Sequence, residues 1–132
     1  MKITVDTNVL VRAIVRDDAT QASAADKVIK KASLIAVPLS CLCELVWVLR
    51  RAYGFGNEAI AATLRALLDT GNVVMNRPAT EAGLALLEAG GDFADGVMAY
   101  EGTWLGGESF VSFDRKAVKL LSEQGEAARF LS

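Results

Sequence analysis

The sequence predicts an α/β protein, a three-layer α/β/α fold with a central, mainly parallel sheet. Three observations predict it. Short aliphatic runs alternate with longer stretches of helical period along the whole chain. Apolar residues make up 52% of the 132 residues, enough to cover a sheet on both faces. No repeat, linker or low-complexity tract breaks the alternation, so residues 1–132 are expected to form one domain.

The elements follow in order. Residues 3–5 (Ile-Thr-Val) make a short strand, and residues 9–15 a helix stopped by Asp17-Asp18. Residues 21–32 form a second helix, with Ala25, Val28 and Ile29 on one side. Residues 34–37 read as a buried strand ended by Pro38. Ser40 is placed to cap a helix running to Ala52, with Gly54 as its stop. Ile60, Leu64, Leu67 and Leu68 give residues 58–68 a helical face, closed by Gly71. A strand at 73–75 follows, then helices at 80–89 and 93–105, each ended by a Gly-Gly pair. Residues 110–113 form a strand, 116–121 a helix, and 128–131 a last edge strand. In open parallel sheets, ligands bind beyond the carboxyl ends of the strands.

Composition narrows the chemistry. The chain has no histidine, which excludes Ser-His-Asp and Cys-His triads and the H-E-x-x-H type of zinc site. Acid–base or metal chemistry must therefore rest on carboxylates. Cys41 and Cys43 are two apart in a helix, where side chains do not face each other. They read as small apolar residues of a reduced protein. No leader and no membrane-length apolar run is apparent, so a cytoplasmic location is expected.

Four acids stand out. Asp6 follows the first strand, and Asp114 follows the strand at 110–113, each at a carboxyl end. Either could equally cap the helix behind it. Glu44 is the only charge between Lys31 and Arg50, in a helix that reads as apolar all round and buried. A carboxylate there should be paired, protonated or on a metal, unless it merely complements the helix dipole. Asp92 and Asp95 open the helix at 93–105, one as N-cap and the other at its third position. Glu101 and Glu108 are less readily placed, and the remaining acids fall on polar faces or helix ends.

In order and context, Asp6, Glu44, Asp95 and Asp114 resemble the four acids of the PIN-domain nucleases, most closely the VapC-type toxins of toxin–antitoxin pairs. The matching motifs are Val5-Asp6-Thr7-Asn8, the helix carrying Glu44-Leu45, Asp92-Phe93-Ala94-Asp95-Gly96, and Val111-Ser112-Phe113-Asp114-Arg115. The resemblance implies a metal-dependent endoribonuclease in which Asp6, Asp95 and Asp114 hold Mg²⁺ or Mn²⁺ and Glu44 completes the pocket. Asn8 and Ser112 match small polar positions beside the site, and Asp92 is a further supporting acid. Water would attack phosphorus and leave a 5′-phosphate and a 3′-hydroxyl. The implied partners are RNA, a cognate antitoxin and a second copy of the chain, with Trp47, Tyr53 and Phe55 offering a dimer surface. Gly96, Val97 and Met98 depart from the family's more usual Ala, Leu and Ile. On propensity alone, Gly96 inside a helix costs about 1 kcal/mol relative to Ala.

Oxygen-only carboxylate sets suit hard cations such as Mg²⁺ and Mn²⁺. The net charge of −2 disfavours a polyanion. Setting the four proposed ligands aside leaves 12 acids against 14 bases, and Arg12, Arg16, Arg50, Arg51, Arg115, Lys116 and Lys119 flank the motifs. Two other enzyme and signalling patterns fail. A dehalogenase-type phosphatase needs an aspartate where Asn8 stands. A receiver domain needs one after a central strand, where Pro38 and Asn76 stand. The remaining rival is a non-catalytic PIN-like module whose acidic cleft holds a basic partner peptide.

Overall fold

The computed structural model describes residues 1–132. Its elements are β1 (Lys2–Thr4), α1 (Thr7–Val15), α2 (Ala19–Lys31), β2 (Leu34–Ala36), α3 (Leu39–Arg51), α4 (Asn57–Leu68), β3 (Val73–Val74), α5 (Arg77–Glu88), α6 (Phe93–Trp104), β4 (Phe110–Ser112), α7 (Arg115–Glu123) and β5 (Ala128–Phe130). Every strand pair is parallel, as the strand–helix alternation predicts. The strands divide into a three-stranded sheet, β1-β2-β3, and a two-stranded sheet, β4-β5. The chain forms two compact units, Met1–Arg77 and Pro78–Ser132. No helix is long and apolar enough to cross a membrane.

In the first unit, Ile3 lies opposite Ile35, and Ile35 opposite Val73. The Val5 N–H donates to the Ala36 carbonyl and continues the pairing to the edge of Asp6. α1 packs on α2 and α3, and buries Leu10 and Val11. It starts at Thr7, two residues before the expected position, so that Asp6 itself occupies the N-cap. It ends at Arg16, whose left-handed φ of 60° turns the chain before Asp18 caps α2 by accepting from the Gln21 N–H. The α1–α2 corner is held by polar contacts: Arg12 donates to Gln21 (2.6 Å), Asp17 (2.9 Å) and the Tyr53 hydroxyl (3.3 Å), and Tyr53 donates to Asp17 (3.0 Å).

α3 corrects two expectations. Leu42, Leu45, Val46 and Leu49 form one buried face, but the helix is not buried all round: Glu44 is exposed and Trp47 keeps 61% of its surface. The helix is an ordinary amphipathic one whose outer face happens to carry few charges. Ser40 is not its cap. The helix begins at Leu39 behind Pro38, which stands at the N-cap position without a side-chain cap and whose carbonyl accepts from the Leu42 N–H.

In the second unit, α5 and α6 bury Leu84, Leu86, Leu87, Phe93 and Val97. They approach closely through glycines: a Cβ on Gly96 would lie 2.6 Å from the Ala82 carbonyl oxygen and 2.8 Å from the Gly83 Cα. The backbone contact explains why glycine stands where propensity favours alanine. α7 buries Ala117 and Leu121, and the Gln124 amide donates to the Ala85 carbonyl (3.0 Å). Phe110 pairs with Ala128 across β4 and β5, and the Arg115 guanidinium stacks 4.2 Å from the centre of the Phe130 ring.

Candidate active site

Each unit holds a subset of the predicted acids. In the first, Asp6 sits where β1 gives way to α1. Its backbone is extended (φ −78°, ψ 153°), as an N-cap requires, yet its carboxylate makes no capping bond. The alternative reading of Asp6 as a side-chain cap therefore fails, and the carboxylate is held out at the strand's end with its oxygens uncommitted. Thr7, 5% exposed, buries its hydroxyl and donates to the Cys41 sulfur (3.6 Å). Cys41 lies one helical turn before Glu44 on α3, so this contact ties the segment carrying Asp6 to the helix carrying Glu44. Burial pushes the Cys41 thiol pKa up. The Thr7 hydrogen bond opposes that shift, and the negative charges of Glu44 and Asp6 add to it. One thiol thus feels both acids. Cys43 is half-buried, and both cysteines are free.

In the second unit three acids are close enough to influence one another. Asp92 caps α6 by accepting from the Ala94 N–H (3.0 Å), as its place in the sequence predicts. Asp95, two residues into the helix, is half-buried and has no hydrogen bond or ion pair. Its pKa is raised first by burial, then by the charges of Asp92 and Asp114. Asp114 does serve as an N-cap: one oxygen, Oδ1, accepts from the Lys116 (3.0 Å) and Ala117 (3.1 Å) N–H groups. The second oxygen, Oδ2, stays available for a ligand, so capping and ligation are compatible. Ser112 accepts from the Asp114 N–H through its hydroxyl (2.9 Å) and fixes the turn that presents this carboxylate.

The bases expected beside the motifs are partly committed. Arg12 pairs with Asp17, Arg16 pairs with Asp26 in a two-bond fork (2.9 and 3.0 Å), and Arg115 lies on Phe130. Asp17 and Asp26, expected to be merely solvated, are these partners. Glu101 and Glu108 are exposed. Of the expected dimer surface, Trp47 is open, while Tyr53 and Phe55 are half-buried.

The donor chemistry at Asp95 suits a hard divalent cation: the charges acting on this carboxylate are those of Asp92 and Asp114. Neither unit by itself gathers three or more acids or thiols in a group that could hold a metal ion. A cleft of about 690 Å³ beside Asp6, lined also by Asn8, Arg12 and Gln21, was not foreseen. Its only sequence trace is the small residues Ala24 and Ala25 on one side of α2.

No curated protein matches the sequence. The PIN domain family model matches residues 3–120, from β1 into α7, and spans all four acids. The chain therefore belongs to the PIN domain family, whose fold is of the nuclease type.

Proposed function

We propose that this chain is an endoribonuclease that uses Mg²⁺ or Mn²⁺, and that it is the toxin of a VapC-type toxin–antitoxin pair. The observation that carries the reading is Asp95: a half-buried carboxylate with no base beside it, whose charge is further opposed by Asp92 and Asp114. An acid in the first turn of α6 complements the helix dipole, but burial and two like charges oppose this one, and perturbed acids near one another mark functional sites. A cation removes the conflict.

Asp6, Asp95 and Asp114 are the proposed ligands, with Glu44 as the fourth acid. Asp6 offers a carboxylate that no backbone donor claims. Asp114 offers Oδ2 while Oδ1 anchors α7. Ser112 holds Asp114 in place, and Asn8, on the first exposed turn of α1, supports the Asp6 side. A bound divalent cation lowers the pKa of a water and neutralises charge on phosphate oxygens, which is the role histidine-free hydrolysis of RNA needs filled. The antitoxin partner, a homodimer and a cytoplasmic setting belong to the same proposal. They rest on the motif resemblance and on the exposed Trp47.

Asp6→Asn tests it. Asparagine preserves shape and removes the charge that attracts a cation, so RNA cleavage should fall by roughly two or more orders of magnitude with the melting curve retained. Cleavage near the wild-type rate would return Asp6 to a turn role. A wild-type protein with no RNase activity that binds a basic peptide would favour the binding-module reading.

A further inference from the structure

The cleft beside Asp6 lies within the first unit, between α2 and the segment running from β1 into α1, and holds about 690 Å³, a size typical of small-molecule sites. Its walls are apolar, with Val9 of α1 facing Ala24 and Val28 of α2, and Val28 leaves 47% of its surface at the lip. Its polar groups are few. Asp6 and Asn8 line it where β1 passes into α1, and Asn8 is exposed with no internal hydrogen bond. Gln21 lines it beside Arg12. The Gln21 carbonyl is committed to Arg12 (2.6 Å), which leaves its amide NH₂ as a donor with a fixed partner behind it. Arg12 is itself held by Asp17 and Tyr53, so this donor rests on a braced network.

We propose that this cleft is a nucleobase subsite: it takes one unpaired base of the RNA, adjacent to the phosphate that is cut. The inference rests on the endoribonuclease reading. A base has two apolar faces and a polar edge, and the cleft offers apolar walls with amide groups of Asn8 and Gln21 on its lining. An aliphatic peptide side chain would fill the walls and leave both amides unused. The cleft includes Asp6, so a chain threaded past that carboxylate has its next base at the cleft. A base can enter only if it is unstacked and unpaired. Asn8 and Gln21 set the base preference at this subsite.

The test combines a filled cleft with direct mapping. Ala24 is exposed on α2 and lines the cleft, so Ala24→Trp fills it without entering the core. A single-stranded RNA oligonucleotide carrying 4-thiouridine next to its mapped cut site is irradiated with the wild-type protein in Mn²⁺, and the cross-linked peptide is identified by mass spectrometry. The cross-link should fall within residues 3–28 and disappear in Ala24→Trp. The KM for the same RNA should rise at least tenfold, while Mn²⁺ binding, read from the electron paramagnetic resonance of the free ion, stays unchanged. Gln21→Leu should flatten the base preference at the cut site with Mn²⁺ binding again unchanged. Cross-links elsewhere, or an unaltered KM in a folded Ala24→Trp protein that still cleaves RNA, overturn the subsite and leave the nuclease reading standing. A wild-type protein that neither cleaves nor cross-links RNA overturns both.

Discussion

Gly96→Ala is the substitution for which helix propensity and tertiary packing predict opposite signs. Propensity favours alanine by about 1 kcal/mol. A Cβ at position 96 would stand 2.6 Å from the Ala82 carbonyl oxygen, 2.8 Å from the Gly83 Cα and 3.1 Å from the Ala82 carbonyl carbon. Ordinary contact begins at 3.4 Å, so the closest approach is about 0.8 Å too short. All three atoms are backbone, and no rotamer change relieves them: α5 and α6 must move apart. They cannot do so freely, because Phe93 and Leu84 are fully buried there. Overpacking of this kind costs about 1–3 kcal/mol, and rigid backbone belongs at the upper end. Less the propensity gain, the net loss is about 2 kcal/mol. For a chain of this size that lowers Tm by roughly 6–10 °C. A Cβ on Gly102, in the same helix, would meet nothing within 4 Å, so Gly102→Ala should stabilise by up to about 1 kcal/mol. Circular dichroism melts of the two variants beside wild type decide the matter. A Gly96→Ala protein at least as stable as wild type would refute the close-approach argument and leave Gly96 a simple propensity defect.

Three further outcomes follow from the acids. Asp92→Ala loses the α6 cap and should cost about 1 kcal/mol while sparing cleavage, whereas Asp95→Ala should abolish cleavage; rate and melting measurements on both separate the roles. Asp114→Asn keeps an acceptor for the Lys116 and Ala117 N–H groups but removes one of the charges that hold the Asp95 pKa up, so an NMR titration should show Asp95 moving back toward the ordinary carboxylate range. A raised carboxylate pKa favours the folded state below the unfolded value, and that contribution is lost as pH rises through the folded value. In EDTA and low salt, Asp114→Asn should therefore melt above wild type at neutral pH. The gap should close in acid, and Mg²⁺ should narrow or reverse it; matching melts in every condition would show burial alone at work. Asp17 has the opposite sign, lowered first by the Tyr53 hydroxyl and also by Arg12. Tyr53→Phe should raise its pKa, and a titration that leaves Asp17 in place would contradict the observed network.

The parallel pairing and helix order were legible in the sequence because aliphatic runs and helical periods alternate cleanly. The N-cap role of Asp92 was legible because capping is local. Asp114 was legible at the end of its strand but not as both cap and candidate ligand, since a carboxylate has two oxygens and sequence does not apportion them. Glu44 misled: a helix short of charges looks buried on every side, yet Trp47 and Glu44 share an open face. Ser40 misled because serine is a frequent cap, but the backbone already turns at Pro38. Gly96 was read as a cost because the partner backbone on α5 is a tertiary fact. The Thr7–Cys41 contact spans 34 residues, and nothing in either residue's neighbourhood announces it.

Metal dependence of RNA cleavage by the purified chain tests the central claim most directly. With a contaminant-free preparation and a single-stranded RNA, cleavage should require Mg²⁺ or Mn²⁺, stop in excess EDTA, and return when the ion is restored in excess of the chelator. The chain has no histidine to serve as the usual general acid–base group, so the cation is the proposed source of the attacking hydroxide. Undiminished cleavage in EDTA, lost in Asp6→Asn, would contradict the metal site while keeping the nuclease. No cleavage under any metal would contradict the account as a whole.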